Sequence, residues 1–171
     1  MNSLQNTSSV LDDMPENAVL MPDTDTTQLD HISRVWDIVE KVRIGMLTTQ
    51  FSGGLRARPL EARVDRDNGT LWFVTDVRGS KDEEIGASHA VGLTFRLESE
   101  HAYISITGRA FVTQDGVKSK QIWRPSDNLW FPDGPEDPNV RLLCIKPMTA
   151  ELWDGPSRAA VVNFKCAQQQ A

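Results

Sequence analysis

RARPLEARVDRDNGTLWFVTDVRGSK, residues Arg56 to Lys81, is the stretch from which the fold is read. Pro59, Leu60, Ala62 and Val64 alternate with charged residues, the period of a strand with one face covered. Asp67-Asn68-Gly69 follows as a turn, because Asn and Gly accept positive φ. Leu71-Trp72-Phe73-Val74-Thr75 is aromatic and β-branched, a second strand. Two strands joined this closely build an antiparallel sheet and leave no room for a βαβ crossover. Gly79, Ser80 and Lys81 then precede the acidic run Asp82, Glu83, Glu84, which suits the first turn of a helix. Exposed N–H groups, a hydroxyl and an ammonium at that helix start are the parts of an anion site. Arg58 can reach it from the neighbouring strand. The same Gly-Ser-Lys also serves as an ordinary helix cap, and the residues alone leave both readings open.

Working outward, residues 1–28 are rich in Ser, Thr, Asn, Asp and Pro and predict a mobile tail. Asp30 is placed to cap a helix whose apolar stripe is Ile32, Val35, Trp36, Val39 and Val42. Ile44 to Gln50 reads as the first strand, and Phe51-Ser52-Gly53-Gly54 as a turn into the quoted stretch. A short helix is expected from Ser80 to Ser88, then a strand at Val91–Phe95. Ala102–Thr113 is a long strand in which Gly108 signals a bulge or bend. Gly116–Trp123 fits one short helix. Arg124–Pro138 carries four prolines among aromatics and excludes regular structure throughout. Val140–Ile145 and Thr149–Trp153 close the sheet on either side of Pro147, and 156–171 reads as a loose arm. The expectation is therefore a tail (1–28), one domain (29–155) and an arm (156–171). The domain is mainly β within the α+β class, about six antiparallel strands in a small barrel with short flanking helices.

Composition narrows the function. The chain has 171 residues, enough for one domain with its own core. A formal charge of −6 argues against general binding to nucleic acid or an anionic membrane surface. No apolar run reaches the length of a membrane span, and residues 1–28 lack a signal-peptide pattern, so a cytoplasmic setting is expected. Cys144 lies in an apolar run and predicts a buried thiol, while Cys166 lies in a polar tail; neither has CxxC spacing, and no metal site is expected. His31, His89 and His101 fall at a helix start, a helix end and a turn, where surface positions are expected. Ser105 and Thr107 have no evident base. With no nucleophile–base constellation, the chemistry is expected to come from a cofactor.

The ordered series RPLE, LWFVTD, GSK, YISITGRA, Trp123-Arg-Pro, LWFP and AELWDGP, over Asp30 to Gly155, resembles the pyridoxamine 5′-phosphate oxidase-like family of FMN-binding split barrels, in its general stress protein branch. The resemblance implies a split barrel and an FMN cofactor. Arg58 is implied as the phosphate-binding arginine, and Arg58, Pro59, Leu60 and Glu61 as the segment along the isoalloxazine edge. Val74 and Thr75 match positions flanking the ring and ribityl chain; Ser80 and Lys81 match the phosphate-binding pair. A homodimer with flavin between subunits is also implied. Trp123, Trp130 or Phe131 then reach the flavin from the second subunit, and Trp153 stands near the ring. FAD or a deazaflavin are the alternative cofactors. The chain lacks the Arg-x-His-type substrate motif of authentic pyridoxamine phosphate oxidases, so vitamin B6 oxidation is not expected. A flavin-dependent oxidoreductase acting on a small redox substrate is the leading reading, beside a non-catalytic flavin-binding stress or redox-sensing protein.

Overall fold

The computed structural model describes residues 25–76, 78, 81–87, 89–156 and 159–164. The described residues form three α-helices among eight strands. Helix α1 spans Asp25–Val42, α2 Lys81–Ala87 and α3 Gly116–Ile122. The strands are β1 Ile44–Phe51, β2 Gly54–Glu61, β3 Arg63–Asp65, β4 Thr70–Asp76, β5 Ala90–Leu97, β6 Ala102–Thr113, β7 Val140–Asp154 and β8 Ala160–Asn163. Among the described residues no helix is long and apolar enough to cross a membrane.

All the strand pairs are antiparallel, in the order β2-β1-β5-β6-β7-β4-β3, with β8 added to β7. The two ends of this order, β2 and β3, are separated in sequence by Ala62 alone. Two peptide steps span at most about 7 Å, so the sheet's far edges must come together there. The sheet therefore curls into a barrel whose closing edges are joined by the chain rather than by a ladder. Ala62 N–H donates to the Arg43 carbonyl at 2.7 Å, which pins the junction to the end of α1.

One continuous core fills the barrel. Leu47, Phe73, Leu93, Ile104, Ile106, Leu143 and Ile145 point inward and are fully or almost fully buried. Ile32, Val35, Trp36, Ile38 and Val39 of α1 join the same cluster, so the stripe read from the sequence is the helix's packing face. Alternate residues of β1, β5 and β6 face outward and leave Ile44, Met46 and Tyr103 exposed.

Eight strands among the described residues stand in place of the expected six, and they depart from the expected segments at three places. The alternation from Pro59 to Val64 is broken at Ala62, where one expected strand becomes β2 and β3 at opposite sheet edges. Pro147 does not divide Val140–Asp154: the register with β6 shifts between Thr107 and Gly108, and the proline sits at that bulge opposite Gly108. A bulge tolerates the missing N–H. Gly108 is required there, because a Cβ would lie 2.7 Å from the Lys146 carbonyl oxygen. Finally, residues 160–164 are not a loose arm. β8 pairs with β7, and Phe164 is buried with its ring centroid 5.2 Å from that of Trp36. Gln28 locks this edge, donating to the Val161 carbonyl at 3.1 Å and accepting from Asn163 N–H at 3.0 Å. Helix α1 accordingly starts at Asp25, five residues before the expected cap at Asp30.

Candidate functional site

Where the barrel edges meet, a cavity of about 530 Å³ opens. Pro59, Leu60 and Glu61 of β2 form one wall, Val74, Thr75 and Asp76 of β4 another. Ser126, Asp127, Leu129, Trp130 and Phe131 close a third side, with Ile44, Arg63 and Arg78 between. Two segments that are far apart in the strand order thus face each other because Ala62 joins the sheet's ends. The third wall is a loop that the prolines shape into two 3-10 turns, Pro125–Leu129 and Gly134–Glu136. Phe131 is buried against Val140 and Leu142, with Trp123 tilted across it at 6.1 Å between ring centroids. Trp130 is 77 % exposed and stands at the cavity's rim.

The polar side of the cavity is an ion network. Arg63 donates from Nη1 to the Glu61 carbonyl at 2.7 Å and from Nη2 to Asp127 Oδ1 at 2.5 Å. Asp127 also accepts from Arg124 N–H at 2.9 Å and so caps the first 3-10 turn. Glu61 accepts from Arg43 and, at 2.6 Å, from Arg124 Nη1. Burial alone pushes the Glu61 carboxyl up. The hydrogen bonds from Arg124 and Arg43 and the charge of Arg63 outweigh this and hold it below its ordinary value. A carboxylate bracketed in this way stays ionised and is a poor proton donor. The network ties the β2–β3 junction to the aromatic loop and so fixes the cavity's width.

Arg58 does not line this cavity. Its guanidinium lies against α2, with Nη2 donating to Glu84 Oε1 at 2.7 Å and Nη1 to Thr49 Oγ1 at 3.0 Å. Arg56 shares Glu84 Oε1 at 2.9 Å and lies 4.4 Å from the Phe51 ring centroid. Thr49 in turn donates to Glu84 Oε2 at 2.6 Å. Glu84, only 6 % exposed, is the centre of this cluster in the first turns of α2. Ser80 lies outside the described residues, and Lys81 is described only as the first residue of α2. Trp123 packs behind the cavity wall and donates from Nε1 to Asn128 Oδ1 at 2.9 Å. Trp153 lies apart, in a second cleft of about 520 Å³ with Met46, Phe95 and Tyr103. Ile44 borders both clefts.

Residues 30–171 match the family model described as pyridoxamine 5′-phosphate oxidase like. The chain belongs to the pyridoxamine 5′-phosphate oxidase-like family. Among its relatives, General stress protein 26 of Bacillus subtilis is 26% identical over 137 residues, covering 78% of this chain and 96% of the relative. The general stress FMN/FAD binding protein of Xanthomonas citri has a solved structure with a TM-score of 0.66 and 26% identity, covering 75% of this chain and 92% of that one. A general stress protein 26 structure from Jannaschia sp. CCS1 superposes with a TM-score of 0.68 at 24% identity, over 81% and 99% of the two chains, which establishes the shared fold.

In this pyridoxamine 5′-phosphate oxidase-like chain, Pro59, Leu60, Glu61, Val74, Thr75, Trp130 and Phe131 line one cavity of a single subunit, whereas the resemblance implied that Trp130 or Phe131 reach the flavin from the second. Arg58, Trp123 and Trp153 are placed elsewhere. Arg63, Asp76 and Asp127 line the cavity and were missed from sequence. Arg63 carries no signal of its own, since a continuous strand through Ala62 and Val64 turns it outward. Only the break at Ala62 turns it in.

Proposed function

We propose that this protein binds FMN in the 530 Å³ cavity and acts as a flavin-dependent oxidoreductase. The observation that carries the reading is the convergence of Pro59–Glu61, Val74–Thr75 and Trp130–Phe131 on one cavity. Its volume lies inside the roughly 300–1,000 Å³ range of small-molecule sites. Apolar walls with an aromatic rim suit a flat ring system. The residues also fit a ligand that brings polar atoms. Thr75 is buried in the wall, and its Oγ1 has no hydrogen-bond partner among the described residues. The Xanthomonas citri relative, a general stress FMN/FAD binding protein by name, supports a flavin in either form.

Bound there, the flavin supplies hydride transfer at its N5. The chain's part is to hold the ring against Leu60 and Val74, to exclude water with Phe131 and Trp130, and to keep the polar side ionised through Arg63 and Glu61. Arg56 and Arg58 stand beside the first turns of α2 as cations for the phosphate, which then competes with Glu84. A homodimer in the cytoplasm completes the proposal. Its support is the exposed apolar strip Ile44, Met46 and Tyr103 on the outer sheet face, which continues from the cavity into the Trp153 cleft. Anaerobic mixing of the FMN-loaded protein with a reduced nicotinamide tests the reaction. Rapid bleaching of the flavin band followed by reoxidation with an acceptor is expected. Tight flavin binding without reduction by any nicotinamide donor points instead to a storage or sensing protein.

A further inference from the structure

Arg63 opens β3 at the point where the barrel's edges meet, and it lines the cavity. Its side chain is 7 % exposed. Two of its nitrogens are committed, Nη1 to the Glu61 carbonyl and Nη2 to Asp127. Its third donor position, Nε–H, has no acceptor among the described residues. Buried donors without acceptors are costly and uncommon in native proteins. Thr75 Oγ1, in the facing strand wall, is in the same state. The surroundings also favour negative polarisation: among the described residues Arg43, Arg63 and Arg124 pair with Glu61 and Asp127, and Arg78 pairs with Asp76 on the cavity wall, leaving one net positive charge.

We propose that Arg63 reads the ligand's ring, donating Nε–H, after a small shift of the side chain, to a carbonyl on the ring's polar edge. This rests on the flavin reading and deepens it. Nε is the one Arg63 nitrogen without a partner among the described residues, and its single N–H suits one carbonyl acceptor; a phosphate dianion is matched by a free guanidinium fork, whose Nη1 and Nη2 are here bonded to Glu61 and Asp127. Arg63 is therefore a specificity residue for the ring system, distinct from the Arg56–Arg58 cluster assigned to phosphate.

The test is equilibrium titration of the full chain with FMN and with riboflavin, which share the ring and differ in the phosphate. Arg63→Lys retains the charge opposite Asp127 and removes the Nε–H. It is expected to weaken both ligands by the same factor, about tenfold, as loss of one charge-assisted hydrogen bond predicts. The visible band of the bound flavin shifts as well, a change that a purely structural role does not produce. Unchanged affinity for both ligands overturns the proposal, and so does a loss confined to FMN, which moves Arg63 to the phosphate. Should Arg63→Lys fail to fold, the double variant Arg63→Gln, Asp127→Asn removes both charges together and carries the same comparison. Wild-type protein that binds neither ligand overturns the flavin reading itself, a result distinct from either failure of Arg63.

Discussion

Replacing Glu84 with Gln strikes the centre of the Arg56–Arg58–Thr49 cluster. Glu84 is 6 % exposed and accepts from Thr49 at 2.6 Å, Arg58 at 2.7 Å and Arg56 at 2.9 Å. Removing one partner of a fully buried ion pair costs about 3–5 kcal/mol, because the other charge is left without compensation. Here the guanidinium groups have partial access to water: the Arg58 side chain is 19 % exposed and that of Arg56 44 %. Discounting for that screening brings the expectation to about 2–3 kcal/mol. Urea unfolding measures it as a fall in midpoint at constant slope. The double variant Glu84→Gln, Arg58→Gln is expected to recover part of the loss, since the more buried of the two guanidinium charges facing position 84 is gone while the more exposed Arg56 remains. Phosphate provides a second reading of the same cluster. Without the Glu84 carboxylate, Arg58 has more to gain from an anion, so the preference for FMN over riboflavin is expected to grow in Glu84→Gln. A single variant within about 0.5 kcal/mol of wild type, the range of an ordinary surface change, would refute the reasoning.

Phe164→Ala is expected to lose about 3 kcal/mol of stability by denaturant unfolding, as for other large-to-small core changes, because its ring packs on Trp36; an arm without a structural role predicts no change. Gly108→Ala places a Cβ 2.7 Å from a backbone oxygen that cannot turn aside, and about 1–3 kcal/mol is expected to be lost in the same assay. In acid, Asp154 is held below its ordinary value of 3.8 chiefly by the hydrogen bond from Arg34, and Asp65 by that from Lys118. A depressed folded pKa means stability that is present above the unfolded value and lost as pH falls through the folded one. The unfolding midpoint is therefore expected to drop on acidification below about pH 4, with a shallower slope in Arg34→Ala; identical slopes contradict the assignment.

The fold was legible wherever local pattern and tertiary demand agree. Ile32, Val35, Trp36 and Val39 share a face at helical spacing, and that face is the one buried. Asp67-Asn68-Gly69 turns the chain between β3 and β4, with Gly69 at φ 59. Gly108 does mark a bulge. Closure was not legible. Residues 59–64 alternate like a single strand, and only the three-dimensional requirement that β2 and β3 lie at opposite sheet edges breaks them at Ala62. That break turns Arg63 into the cavity. The apolar residues Val161, Val162 and Phe164 are too few to read as an element, and they gain their place from the β7 edge and Trp36. At the site, the two strand segments and the aromatic loop were named through the family resemblance, and their meeting at one cavity depends on the barrel closure that the sequence does not show. The Arg58–Glu84 pairing was not legible, because the acidic run Asp82, Glu83, Glu84 was read only as suiting the first turn of a helix.

The most direct test of the account is the visible absorption spectrum of the purified protein after incubation with FMN and removal of free ligand by desalting. The account predicts a flavin band that survives desalting, in near-stoichiometric amount. Protein that emerges without flavin, while remaining folded, contradicts it.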